Sequence, residues 1–305
     1  MSLWIHTNDF EYGHDRVYSI HLKSIPQTGA IMTKPVRVEL FIIGNEILIG
    51  GIQDTNTNWL CKQIHNLGGH VTRATMLRDT EEVIATELQA ALTREPQVII
   101  TSGGLGPTAD DLTLAAVARG VGVVTELHVQ ARQMVKERYD ELAEQGVLSQ
   151  GGLNPPREKM AWLPKGAIPL HNSNGTAPGV LLQAGNSTII SLPGVPSELK
   201  TIFSSSLQPF LRKTFSGGTS AMRTIAVECN DESLMEPVLS RVTNEHPHIY
   251  IKSLATTIGI SREIDITLTA VGSKQTTLDG TLEAALCDLQ SGLTSLGFRH
   301  REKQR

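Results

Sequence analysis

From Val36 onward the chain alternates between two hydrophobic rhythms. VRVELFII (36–43) is a near-continuous apolar run of strand length, and DTNTNWLCKQIHNLG (54–68) spaces its apolar residues as a helix with one buried face does. HVTRATML (70–77) reads as a strand, TEEVIATELQAALTR (80–94) as a helix and PQVIITS (96–102) as a strand. TADDLTLAAVARGVG (108–122) follows as a helix that starts just past a group of glycines. Alternation of this kind predicts an α/β fold: a mostly parallel sheet with helices on both faces.

The pattern then loosens. TELHVQARQMVKERYDELAEQG (125–146) reads as one long surface helix and NPPREKMAWLP (154–164) as a Pro-bounded excursion. Strands GVLLQAG and STIISL lead into PGVPSELKTIFSSSLQPFLRKTF (193–215), a turn feeding a helix. SGGTS (216–220) is a short polar linker, and the domain boundary is expected there. Beyond it, strand (222–229), helix (231–245), two strands (249–254 and 263–271) and a helix (276–297) predict a smaller α+β domain over 221–298, after a first domain over 35–215. Residues 1–34 show no periodicity and read as a loose, disordered extension in which Met32 is an alternative start.

Composition narrows the class without changing the fold. The 305 residues carry 27 basic and 31 acidic side chains, a near balance that argues against a general nucleic-acid or membrane binder. Cys61, Cys229 and Cys287 are odd in number and form no CxxC pair, which points to a reducing cytoplasm. No apolar run approaches membrane-span length.

Four loops each follow a predicted strand: 44–56, 101–111, 171–179 and 192–198. In an open α/β sheet, loops at the carboxyl ends of strands line the ligand crevice, so the four are expected to converge. They supply candidate substrate-binding positions at Asn56, Gly103, Gly104, Gly106, Thr108, Gly175, Thr176, Pro193 and Gly194, to which Lys159 adds a cation. In TSGGLGPTADDLT (101–113) the glycines let backbone amides approach a ligand, and a helix starting near Thr108 adds its positive end. Asp110 and Asp111 oppose that anion site, since a carboxylate about 5 Å from a phosphate oxygen costs roughly 3 kcal/mol at an effective dielectric near 20. A divalent cation shared by carboxylate and phosphate oxygens removes the conflict, and Glu46, just past the first strand, is a further candidate ligand. Oxygen donors favour Mg²⁺ or Mn²⁺ over a thiolate-selected metal.

Structural readings stand beside these. Thr108-Ala-Asp-Asp111 matches a capping box, and Asp79 with Glu82 resembles another cap. Gly175 to Gly179 also reads as a plain turn, Pro193 to Pro196 as a stiff strand-to-helix turn, and Lys159 and Arg78 as solvated surface cations. Gly104 to Ala109 formally matches GxGxxA but lies in the third β-α unit, which weakens a nicotinamide reading. There is no P-loop and no GxSxG elbow, and His246-Pro-His248 looks like a turn.

GGLGPTADDLT, preceded by GNEILIGGIQDTNTNWL and followed by NSNGTAPGV and LPGVPSELK, resembles the competence/damage-inducible (CinA) family with its molybdopterin-binding-like domain. The C-terminal portion looks like that family's KH-like domain. The resemblance implies a metal-dependent nucleotide pyrophosphatase using Mg²⁺, Mn²⁺ or Co²⁺, which splits ADP-ribose and related dinucleotides such as FAD. Relatives with the same core instead bind or adenylate molybdopterin. It also implies catalytic roles for Asp111 and Asp79, with Asp110 beside them, and matches Lys159 to a KxAxLP element. Asn45 stands where many members have Asp, and no stretch matches the family's nicotinamide mononucleotide deamidase domain, so that activity is not expected. RNA binding through the KH-like domain is not expected either: 221–298 holds no GXXG loop, and its 5 Lys and Arg face 10 Asp and Glu. The expected partner is a small nucleotide substrate, and the expected assembly a homodimer.

Overall fold

The computed structural model describes residues 35–215, 218–254, 263–272 and 274–303. The expected N-terminal extension and part of the expected linker lie outside the described residues.

A six-stranded sheet in the order β2-β1-β3-β8-β7-β6 forms the centre. Strands β1 (Arg37–Ile43), β2 (His70–Leu77), β3 (Val98–Ser102) and β8 (Ser187–Leu192) run parallel. β7 (Gly179–Ala184) is antiparallel to β8, and β6 (Ile168–Leu170) is antiparallel to β7. The apolar run of β1 is explained by burial on both faces. Phe41 and Ile43 join a core under α3 (Glu81–Thr93) and α4 (Thr113–Val121). Leu40 and Ile42 join the opposite core, under α2 (Asn56–Asn66), α7 (Pro196–Ser204) and α8 (Gln208–Thr214). Glu39, on the same strand, is almost fully buried and carries a two-point ion pair to Arg94 at 2.6 and 2.8 Å. The α/β fold read from the periodicity is therefore the observed one.

Several boundaries differ. The helix expected over 108–122 starts at Thr113, five residues late, and that over 125–146 splits into strand β4 (Thr125–Leu127) and helix α5 (Val129–Glu144). The excursion at 154–164 holds helix α6 (Pro155–Lys159) and strand β5 (Trp162–Pro164), which pairs with β4. Asn45–Leu48 form a short helix, α1, where no helix start is evident in the sequence.

A second core surrounds a four-stranded antiparallel sheet in the order β10-β11-β9-β12. Its elements are β9 (Thr219–Glu228), a 3-10 turn (Glu232–Leu234), α9 (Glu236–Glu245), β10 (Ile249–Leu254), β11 (Glu263–Gly272), α10 (Gln275–Ser295) and β12 (His300–Glu302). This β-α-β-β-α-β succession, with β11 inserted between β9 and β10, is a split β-α-β arrangement. Strand β12 lies past the expected boundary at 298. Among the described residues no helix is long and apolar enough to cross a membrane.

One packing detail gives a pH-dependent prediction. The imidazole Nδ1 of His128 caps α5, accepting the Ala131 amide at 3.3 Å. Burial pushes the His128 pKa below the ordinary 6.5, against an upward pull from Glu126. The unfolded chain therefore binds more protons, and stability present above about pH 6.5 is lost as the pH falls below it. The variant His128→Asn keeps a neutral cap and is expected to flatten the drop in urea midpoint between about pH 7 and about pH 5.5. An unchanged slope would leave the drop to His65, which burial also lowers.

Candidate functional site

The topology brings the four glycine-bearing loops to one edge of the sheet. Loops after β1, β3 and β8 leave adjacent parallel strands, and 171–178 leaves β6, which runs in the same sense as β8. Hydrogen bonds tie them together. The Asn56 amide Nδ2, at the start of α2, donates to Ser102 Oγ at 3.0 Å and to the Gly194 carbonyl at 2.7 Å. Gly103 N donates to the Leu192 carbonyl at 3.0 Å, and Gly44 N to the Leu77 carbonyl at 3.1 Å. The buried Asn56 Oδ1 has no partner among the described residues, an acceptor still available at the junction of three loops.

A cavity of about 100 Å³ opens between the β3 loop and the α6–β5 segment. Gly104, Gly106, Asp111 and Lys159 line it together with the apolar side chains of Leu114, Met160 and Trp162. It sits on the first turn of α4, whose N-cap is Leu112 and has no side-chain cap. The amides of Leu114 and Ala115, and those of Gly104 and Gly106, donate to no acceptor among the described residues. Uncapped first-turn amides carry the positive end of the helix dipole. Gly104, Gly106 and a helix start thus lie beside the cavity, but the helix begins past the aspartates, not before them. Gly103 leaves the cradle, because its amide is committed to Leu192.

Thr108 to Asp111 form a closed turn instead of a helix start. Thr108 N donates to Asp111 Oδ2 at 2.8 Å, while Asp111 N donates to the Thr108 carbonyl at 3.2 Å. The Thr108 hydroxyl lies 2.5 Å from Asp110 Oδ1 and 2.6 Å from Asp111 Oδ2. A hydroxyl has one proton, so only one of these contacts carries a hydrogen bond and the other brings two oxygens together without one. The Thr108 hydroxyl, then the Asp110 backbone, hold the Asp110 carboxyl below the usual carboxylate range, with Lys159 a lesser influence. Lys159 Nζ itself donates to the Thr108 carbonyl.

The expected metal triad does not assemble. Among the described residues Glu46, Asp110 and Asp111 form no group of donors within 4.8 Å of one another. Glu46 lies in α1, its carboxylate folded over Gly44, because the chain turns helical after Gly44 instead of extending toward the β3 loop. Asp79 is likewise spent on structure, accepting the Asn45 amide at 2.7 Å. Gly175 sits in a side-chain network of its own, and the Thr176 hydroxyl lies 4.0 Å from the sulfur of Met160. Asn172 Oδ1 accepts the Asn174 and Gly175 amides, its Nδ2 donates to Glu198 at 2.7 Å, and the Glu198 carboxylate fills the space a side chain at 175 would need. Pro193 and Gly194 serve chiefly as carbonyl acceptors for Ser102 and Asn56. Ser102, Asn172, Glu198 and Trp162 are additions that the sequence reading missed. The one available signal was Leu112, an apolar residue at a helix start, where a capping side chain is usual.

Comparison with known proteins places this geometry. Residues 39–213 match the family model described as a probable molybdopterin binding domain. A protein of Pyrobaculum arsenaticum is 38% identical over 212 residues, covering 69% of this chain and 77% of that one. A protein of Aeropyrum pernix is 40% identical over 222 residues, covering 73% and 80%. The solved structure of the protein CinA, of unknown function, from Thermoplasma acidophilum is 30% identical. It covers 58% of this chain and 98% of its own, with a TM-score of 0.52.

Proposed function

This chain belongs to the molybdopterin-binding domain family, and from that premise we propose that it hydrolyses the diphosphate of a nucleotide such as ADP-ribose, with FAD a related substrate. The observation that carries the reading is the cavity on α4, where unpaired amides of Gly104, Gly106, Leu114 and Ala115 meet the Asp111 carboxylate and Lys159. Amides at a helix start bind phosphate oxygens, and the apolar wall of Leu114, Met160 and Trp162 accepts a nucleobase or sugar edge.

Asp110 and Asp111 fit a divalent ion, because their oxygens already converge on one hydroxyl that can satisfy only one of them. Bound there, Mg²⁺, Mn²⁺ or Co²⁺ would supply charge neutralisation and polarise the phosphoryl oxygen. The chain's own residues do the rest. The free amides hold the diphosphate against the turn, Lys159 offsets charge beside it, and Asp79 positions the site by fixing the Asn45 end of α1. In the reaction a water oxygen bonds to phosphorus and the bridging oxygen leaves, so ADP-ribose and water give AMP and ribose 5-phosphate.

A second reading is a molybdopterin or adenylated-pterin binding protein without hydrolysis, favoured by the family description and by the apolar wall, which suits a flat heteroaromatic ring. Incubation of the purified protein with ADP-ribose and each of the three ions separates the two. AMP is expected by chromatography; no AMP with any ion, together with copurification of a fluorescent pterin, would favour the second. The C-terminal sheet, read as KH-like, is assigned a packing or dimerisation role, since its acidic excess repels phosphate backbones.

A further inference from the structure

The turn His246-Pro247-His248 has no part in the site above, and it ends α9. The fold brings a distant carboxylate to it: α10 carries Asp288, 42 residues on, to 2.7 Å from His246 Nε2. Glu245, the last residue of α9, completes a group whose three donor atoms all lie within 4.8 Å of one another. Among the described residues this is the one such group. We propose that Glu245, His246 and Asp288 bind a divalent transition-metal ion of the zinc class and clasp α9 to α10.

Three features support the assignment. First, the donor set is one imidazole nitrogen and two carboxylates, a combination that suits Zn²⁺ and its neighbours and not Mg²⁺ or Ca²⁺, which prefer oxygen alone. Second, the imidazole is already placed. The His246 amide donates to the Val242 carbonyl at 2.9 Å, its carbonyl accepts the Ile249 amide at 2.9 Å, and its side chain is only 17% exposed. Third, the site lies at the C-terminal end of α9, where unsatisfied carbonyls favour cations and where Glu245 is electrostatically misplaced without one. The guanidinium of Arg241 reaches Glu245 at 3.3 Å and the Asp288 carbonyl at 3.3 Å. Two carboxylates against one guanidinium leave the group net negative while His246 is neutral. Donors around a zinc ion at about 2.0–2.2 Å stand roughly 3.3 Å apart, so the His246–Asp288 pair needs only a slight opening. The half-exposed Glu245 swings in from its contact with Arg241 by a change of rotamer.

The site lies in the second core and is independent of the proposed diphosphate chemistry, so the two are tested apart. Zn²⁺ is titrated calorimetrically into the full chain in excess Mg²⁺, and Co²⁺ is added in parallel for its visible absorption. The expected result is one bound equivalent, with a melting temperature raised by a few degrees. Both effects should weaken about 10- to 100-fold in metal affinity for His246→Ala and for Glu245→Gln, and persist in Asp111→Asn. Glu245→Gln leaves the His246–Asp288 pair in place and lies at an exposed helix end, so it reports on the ion and not on folding. Unchanged Zn²⁺ affinity in a folded His246→Ala, loss confined to Asp111→Asn, or no Zn²⁺ uptake by the parent chain would each overturn the proposal.

Discussion

Replacing Gly103 with alanine is expected to destabilise the first domain by about 3–5 kcal/mol, enough to remove most of the soluble protein from expression. Two causes add. Gly103 has φ +111, outside the range an L side chain readily adopts, and a Cβ placed there would overlap the carbonyl oxygen of Ile43. That oxygen belongs to Ile43, the last residue of β1 and in register with Leu77 of β2, and cannot retreat without disturbing that pairing. Gly122 is the internal control. It also has a positive φ, +81, but nothing lies within 4 Å of the added carbon. The variant Gly122→Ala is expected to cost only about 1 kcal/mol. Urea midpoints of the two variants measure the difference, and similar midpoints would show that the β1–β3 junction is looser than its geometry implies.

The second large effect is on turnover. The substitution Asp111→Asn is expected to lower kcat/KM for ADP-ribose by about 10²–10³, or several kcal/mol of transition-state stabilisation, while moving stability by less than about 1 kcal/mol. The separation follows from what each oxygen does. One carboxylate oxygen accepts the Thr108 amide, and an asparagine Oδ1 accepts it equally well, so the turn survives. The negative charge facing the cavity does not. Turnover at the parent rate in a folded Asp111→Asn would remove the metal-assisted reading, and loss of both turnover and urea resistance would make Asp111 a structural residue only.

The first sheet was legible because its signals are local. Buried strands such as VRVELFII and the amphipathic helices α2 and α3 announce themselves over short windows, and the loops between them fall at the sheet edge that parallel pairing requires. The late start of α4 was not legible, and the reason is chemical. Thr108-Ala-Asp-Asp111 satisfies its own donors in a closed turn, so the capping pattern is met without a helix following it directly. The pair β4 and β5 joins residues some 37 apart through three-residue strands, too short to show an alternation. The place of Glu46 is hidden for a related reason: its turn belongs to a four-residue helix, below the length at which periodicity appears. Asp79, expected to be catalytic, accepts a backbone amide, a partner that cannot be read from side-chain chemistry. The cluster on α9 and α10 depends wholly on tertiary contact.

The order of strands in the second sheet has a practical consequence for anyone dissecting the molecule. β9 is shielded on one flank by β11 and on the other, among the described residues, by the short β12, through His300, Arg301 and Glu302 with backbone bonds from the flanking Arg299 and Lys303. A fragment cut at 298 would strip that cover from Ile225, Ala226 and Val227 and leave an open ladder of amides and carbonyls beside apolar side chains. Such a rim recruits whatever strand it meets, so the short terminal strand works as a guard against self-association out of proportion to its length.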